Sequence, residues 1–169
     1  MKRKLAVPLL AAVLLLAAVL LLAACGGRSP EGQDAVWSAD GYTLAAPQDL
    51  ADQLVVNPED MDPTPGTLFA IYHREAYEAG DGDGWLLSIM RWDQATLTDF
   101  LSGSDGALIM DLAEDGEGYL YYMWLAADSQ IAGTANYADM RELLDGEPLR
   151  EMLADFVSRN SLTPPVEAD

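Results

Sequence analysis

The sequence is poor in reactive side chains. Its 169 residues include one cysteine, Cys25, one histidine, His73, and two lysines, Lys2 and Lys4, both within the first four positions. A lone cysteine excludes a disulfide framework, which needs pairs. One histidine leaves no set of imidazole and thiolate ligands of the kind zinc and copper centres recruit. Nucleophilic catalysis would have to be built on a serine and His73, a histidine at a strand end, where the ordinary role is structural. Positive charge is scarce as well, with 9 Lys and Arg against 28 Asp and Glu and a net charge of −19. Charge of that sign repels phosphate backbones and anionic head groups, which removes nucleic acid from the expected partners.

What the chain does have is an apolar run near its start. Lys2, Arg3 and Lys4 precede an uncharged stretch from Leu5 to Ala24, and Leu22-Ala23-Ala24 leads into Cys25. A cationic start, an apolar middle and small residues before a cleavage point are the three parts of an export signal. An uncleaved helix of that length could also span a bilayer, but the cationic end would stay inside and the remainder would again lie outside the cytoplasm. The stretch resembles a bacterial lipoprotein signal, an aliphatic residue and two small residues followed by Cys. That resemblance implies a diacylglyceryl group on Cys25, cleavage before it, and a protein at the outer face of the cytoplasmic membrane, or in the periplasm or outer membrane of a Gram-negative source. Two acyl chains suffice for stable anchoring.

The expected organisation is a signal at 1–24, the lipidated cysteine and a flexible tether at 25–35, one domain at 36–162 and a free tail at 163–169. From Cys25 onward there are six arginines, no lysine and all 28 acids, a net charge of −22. Most of that excess reads as a solvated surface, with divalent cations or basic partners as the other reading. Gly26 to Ala35 is polar and unpatterned, and ten residues reach at most about 35 Å.

Within the domain, Asp40-Gly41 is a turn signal before Tyr42-Thr43-Leu44. Gln48 to Gln53 suits a helical turn, Leu54-Val55-Val56 a short strand, and Asn57 to Gly66, with three prolines, a loop. Thr67 to His73 and Trp85 to Trp92 are strands apolar on both faces, as is Tyr119 to Ala126, which Glu114-Asp115-Gly116-Glu117-Gly118 joins to Ala107 to Leu112 as a hairpin. Strands of that kind are covered on both sides. Asp93 is placed to cap a helix from Gln94, and Thr134 one containing Tyr137, Met140 and Leu144. Pro148 opens the last helix, where Leu149, Met152, Leu153, Phe156 and Val157 form an i, i+3, i+4, i+7, i+8 stripe. The expected class is α+β: a central, mostly antiparallel sheet of five or six strands with helices packed on it, two of them C-terminal. With Tyr42-Thr43-Leu44-Ala45-Ala46-Pro47 as an aromatic strand running into proline, then hairpins and a long terminal helix, residues 36–162 are similar to the PsbP-type αβα sandwich. That resemblance implies an accessory or binding role and no enzyme.

The acidic loops are the remaining chemistry. Asp81 and Asp83 have the first spacing of an EF-hand, but Trp85 and Trp92 stand where the fifth and twelfth ligands belong. An irregular calcium site using Asp81 and Asp83, or one using Glu114, Asp115 and Glu117, is one reading; Asp and Gly acting as turn residues is the other, and no cofactor is called for. A carboxylate-dependent hydrolase of envelope glycans would need an acid raised by burial. Trp37, Trp85, Trp92, Tyr119, Tyr121, Tyr122 and Trp124 either stack ligands or fill the core, and alternation within strands favours the core. The resulting expectation is a lipid-anchored, non-enzymatic binding or accessory domain, with an envelope protein or glycan as partner.

Overall fold

The computed structural model describes residues 34–59, 61, 64–80, 84–103, 108–127, 131–132 and 134–165. The export signal, Cys25, the tether up to position 33, and the loop acids Asp81 and Asp83 lie outside the described residues, as does the tail from 166. The described elements are β1 (Ala35–Ala39), β2 (Tyr42–Ala46), α1 (Gln48–Ala51), β3 (Leu54–Val56), β4 (Thr67–His73), α2 (Arg74–Ala79), β5 (Trp85–Trp92), α3 (Gln94–Gly103), β6 (Leu108–Glu114), β7 (Leu120–Leu125), α4 (Tyr137–Asp145) and α5 (Glu147–Arg159).

The class is α+β. Five strands form an antiparallel sheet in the order β3-β4-β5-β7-β6, and β1 with β2 forms a separate two-stranded sheet. The β1–β2 hairpin turns at Asp40 and Gly41, with φ of 50° and 86°. Positive φ at both turn residues matches the right-handed twist of the strands, and Asp-Gly supplies it at little steric cost. In the large sheet β7 lies between β5 and β6. The chain therefore crosses over the sheet from β5 to β6, and α3 forms in that crossover. Asp93 starts α3 as the sequence predicts, its carboxylate accepting from Thr96 N–H at 2.7 Å.

Both faces of the sheet are covered. On one side Phe69, Ile71, Leu87, Ile89 and Tyr121 pack with the five stripe residues of α5 and with Leu44 of the hairpin, all in one buried cluster. On the other side Met90, Trp92 and Tyr122 pack beneath Leu97 and Phe100 of α3. Trp92 and Phe100 lie 4.7 Å apart, and Phe100 and Trp124 meet edge to face at 5.0 Å. Three of the aromatics that could have formed a stacking platform, Trp92, Tyr121 and Tyr122, are thus buried, at 2%, 0% and 9% exposure. A register shift between Asp111 and Ala113 makes Leu112 an extra residue in β6, and both Leu112 and Ala113 turn into the main core.

Three local expectations differ from the structure. Thr134 does not cap α4; its hydroxyl donates to Ile131 O at 2.9 Å and the helix starts at Tyr137, after Asn136. Serine and threonine hydroxyls bond readily to nearby carbonyls, and here the turn took that option. Thr163, expected in the tail, pairs with Glu114 through hydrogen bonds of 2.8 and 2.9 Å and extends the folded unit. Ala35, expected in the tether, pairs with Ala46.

Candidate functional site

A cleft of about 580 Å³ opens where α1 and α2 face the junction of α4 and α5. It is lined by Asp49 and Asp52 from the first helical turn, Glu75 and Glu78 from α2, and Asp139 and Glu142 from α4. Each pair is spaced i, i+3, which places both carboxylates on one helical face. Arg74 is the one guanidinium in the lining. Its Nη1 reaches Glu78 at 3.3 Å, while Nε and Nη2 donate to the carbonyls of Asp52 and Leu54 at 2.9 and 2.6 Å. Arg74 thus ties α2 to β3, and its charge is largely spent on the fold. Asp52 accepts from Gln48 at 2.7 Å. Asp49, Glu75, Asp139 and Glu142 are exposed, and their carboxylates have no hydrogen-bond partner among the described residues.

His73 sits in the same cleft but is only 5% exposed. It is the last residue of β4 and the residue before α2; its Nδ1 accepts from Ala76 N–H at 3.4 Å. Its backbone N–H donates to Gly84 O at 2.7 Å. Gly84 has φ of 49°, and a Cβ there would stand 2.7 Å from Tyr77 N and 2.9 Å from His73 O. The strand end can close this tightly over His73 only because position 84 carries no side chain.

A second polar cluster joins the hairpin to the large sheet. Tyr121 donates its hydroxyl hydrogen to Asp115 Oδ2 at 2.9 Å and accepts from Arg91 Nε at 3.2 Å. With that hydrogen committed, the 2.6 Å contact between the hydroxyls of Tyr42 and Tyr121 has Tyr42 as donor. Asp115 Oδ1 accepts from the N–H groups of Glu117 and Tyr119 at 2.8 and 2.9 Å, and Arg91 stacks 3.4 Å above the Tyr119 ring. Burial pushes the Asp115 carboxyl up, but the hydrogen bonds from Tyr119, Tyr121 and Glu117 and the Arg91 charge outweigh it, so the group sits below its ordinary value. Burial, then the Tyr42 hydrogen bond, raises the Tyr121 hydroxyl far above that of a free tyrosine. Both groups are moved away from neutral pH.

The carboxylates singled out from sequence therefore have separate fates. Asp115 is consumed in holding the β6–β7 turn and the tyrosine cluster, and Glu117 is exposed beside it. Asp81 and Asp83 are outside the described residues. Among the described residues no three His, Cys, Asp or Glu side chains converge as a metal set, and no helix is long and apolar enough to cross a membrane. Sequence reasoning missed both the acidic cleft and the tyrosine cluster. The three i, i+3 acidic pairs were a readable signal for the first. No protein-family model matches the chain, and no curated protein or solved structure matches it either.

Proposed function

We propose that this chain is an extracytoplasmic lipoprotein, tethered through Cys25 to the membrane surface, whose folded unit acts by binding a ligand or an envelope partner without turnover. The cleft beside His73 carries this reading. Four of its carboxylates are uncommitted to the fold, and like charges gathered around an opening cost stability unless something else is served by them. Asp115, the acid of the tyrosine cluster, does not suit the role of a hydrolase's general acid. A catalytic acid must be raised toward neutral pH to hold its proton, and Asp115 is lowered. The anchor rests on the residues around Cys25 and the signal before them.

Two measurements test the proposal. Palmitate fed to cells should label the wild-type chain and leave Cys25→Ala unlabelled and released from the membrane fraction; label persisting in the variant would refute the anchor. Incubation of the purified chain with cell-wall polymers should release no product. Release that disappears in a cleft variant such as Glu142→Gln would refute the binding role in favour of a hydrolase.

A further inference from the structure

We infer that the free edge of β6 is a docking strand for an extended segment of a partner protein, one that alternates apolar and basic residues and pairs antiparallel. This names a partner for the binding role proposed above, on a surface other than the acidic cleft. β6 is the last strand of the large sheet, so one side of its backbone faces away from β7. Glu114 shows which groups face out, since its N–H and C=O are both bonded to Thr163, at 2.8 and 2.9 Å. Outward and inward residues alternate along an antiparallel strand. Allowing for the extra residue at Leu112, the outward set continues at Asp111 and Ile109. Among the described residues nothing bonds to their outward N–H and C=O groups. Edge strands are ordinarily guarded by lysine or proline, and Leu108 to Asp111 contains neither. A row of unpaired backbone groups is completed by another strand.

The two faces of this edge select the segment. On the α5 side Leu108 and Met110 are each 51% exposed, opposite Leu125 and Met123. Met123 also lines an apolar groove with Leu112, Leu153 and Val157, so apolar side chains of an added strand have a surface to bury against. On the α3 side Asp111 and Glu114, opposite Tyr122 and Leu120, line a hollow of about 260 Å³. Among the described residues the Asp111 carboxylate has no hydrogen bond or ion pair, and α3 contributes no basic residue. A lysine or arginine there finds an apolar wall for its stem and carboxylates for its head. The chain's own end does not meet these demands. Beyond Thr163 come Pro164 and Pro165, which have no N–H to continue the ladder, and then Val166 to Asp169, with two acids and no base. A second copy would bring the acids of another β6 against these and a net charge of −19 against its like. The segment therefore belongs to another protein.

The test is calorimetric titration of the full lipidated chain in phosphatidylcholine nanodiscs, with empty discs as control. The probe is a capped hexapeptide alternating lysine and valine. In an antiparallel pair, residues opposite each other share a face, so the lysines opposite Ile109 and Asp111 are also the residues whose N–H groups point at β6. N-methylation of the lysines should therefore weaken binding about tenfold or more, and N-methylation of the valines should leave it nearly unchanged. Glutamate in place of lysine, or the same six residues as a lysine block and a valine block, should also lose about tenfold. Leu108→Ser with Met110→Ser changes two exposed side chains and should weaken the peptide about tenfold. Equal loss from both N-methylated peptides would overturn the inference, as would no binding at all. So would a dimer of the full chain in detergent, seen by sedimentation equilibrium and dissolved by the same two serines, since the occupant is then a second copy. If the serine variant does not fold, the comparison of methylated peptides still decides it. Failed titrations leave the binding role to the cleft, whereas polymer turnover refutes that role and leaves the β6 edge as it is, so each can fail alone.

Discussion

Replacing Tyr121 by phenylalanine removes one oxygen from the middle of the molecule and leaves the packing intact. The ring is fully buried, and phenylalanine fills the same space, so no cavity forms. What is lost is the hydroxyl that donates to Asp115 and accepts from Tyr42 and Arg91. The bond to the charged Asp115 is the largest of these, at about 1.5–3 kcal/mol. Tyr42 and Arg91 keep partial access to water, so their share is discounted. The total comes to about 2–3 kcal/mol. For a folded unit of this size each kcal/mol shifts the melting midpoint by about 3 °C, giving a fall of about 6–9 °C. Tyr42→Phe alone should cost about 1 kcal/mol, and the double variant less than the two together, because both remove one shared bond. Circular dichroism melts and urea titrations of the four chains measure this. A Tyr121→Phe midpoint within about 1 °C of the parent, or strict additivity, would refute the account of the cluster as a structural hub.

Other outcomes follow from the same geometry. Because Asp115 is held below its ordinary value in the fold, its contribution to stability is complete above the unfolded carboxyl pKa of about 3.9 and is lost as pH falls through the folded value. The gap in melting midpoint between the parent and Asp115→Asn should thus be constant near neutral pH and narrow in acid; a gap that widens in acid would contradict the sign. Phe156→Ala should cost about 3–5 kcal/mol in urea, since Phe156 is fully buried, 6.0 Å from Phe69 and edge to face with it. At Gly66, φ is 87° and a Cβ would lie 2.6 Å from the Trp92 indole, so Gly66→Ala should destabilise the fold by more than about 1 kcal/mol and shift the tryptophan emission. Asp139→Asn with Glu142→Gln should raise the melting midpoint slightly by relieving like-charge repulsion; a fall would mean that these acids hold the fold together.

The two sites differ in how far they could be read in advance. Asp49 with Asp52, Glu75 with Glu78, and Asp139 with Glu142 each share a helical face by spacing alone, and the acidic character of three helices was legible. Their convergence was not, because α1, α2 and α4 meet only after the strands between them have paired. The tyrosine cluster left no such trace. Its closest contact joins Tyr42 to Tyr121 across 79 positions, and Arg91 and Asp115 come from two further places in the chain. Asp115 even carried a misleading signal, since an Asp-Gly turn and a carboxylate offered to a cation look the same in one dimension.

Local pattern accounts for the elements themselves. The α5 stripe, the apolar strands β4, β5 and β7, the Asp40-Gly41 turn and the Asp93 cap each depend on neighbours a few residues apart, so the chain specifies them wherever it folds. Charge and residue inventory are likewise properties of the chain alone. Pairing is different in kind. That β7 inserts between β5 and β6, that the β1–β2 hairpin stays apart from the large sheet, and that His73 is buried at the wall of an acidic cleft all depend on surfaces distant in sequence burying one another. Burial free energy is summed over the whole core, and no window of neighbouring residues contains it.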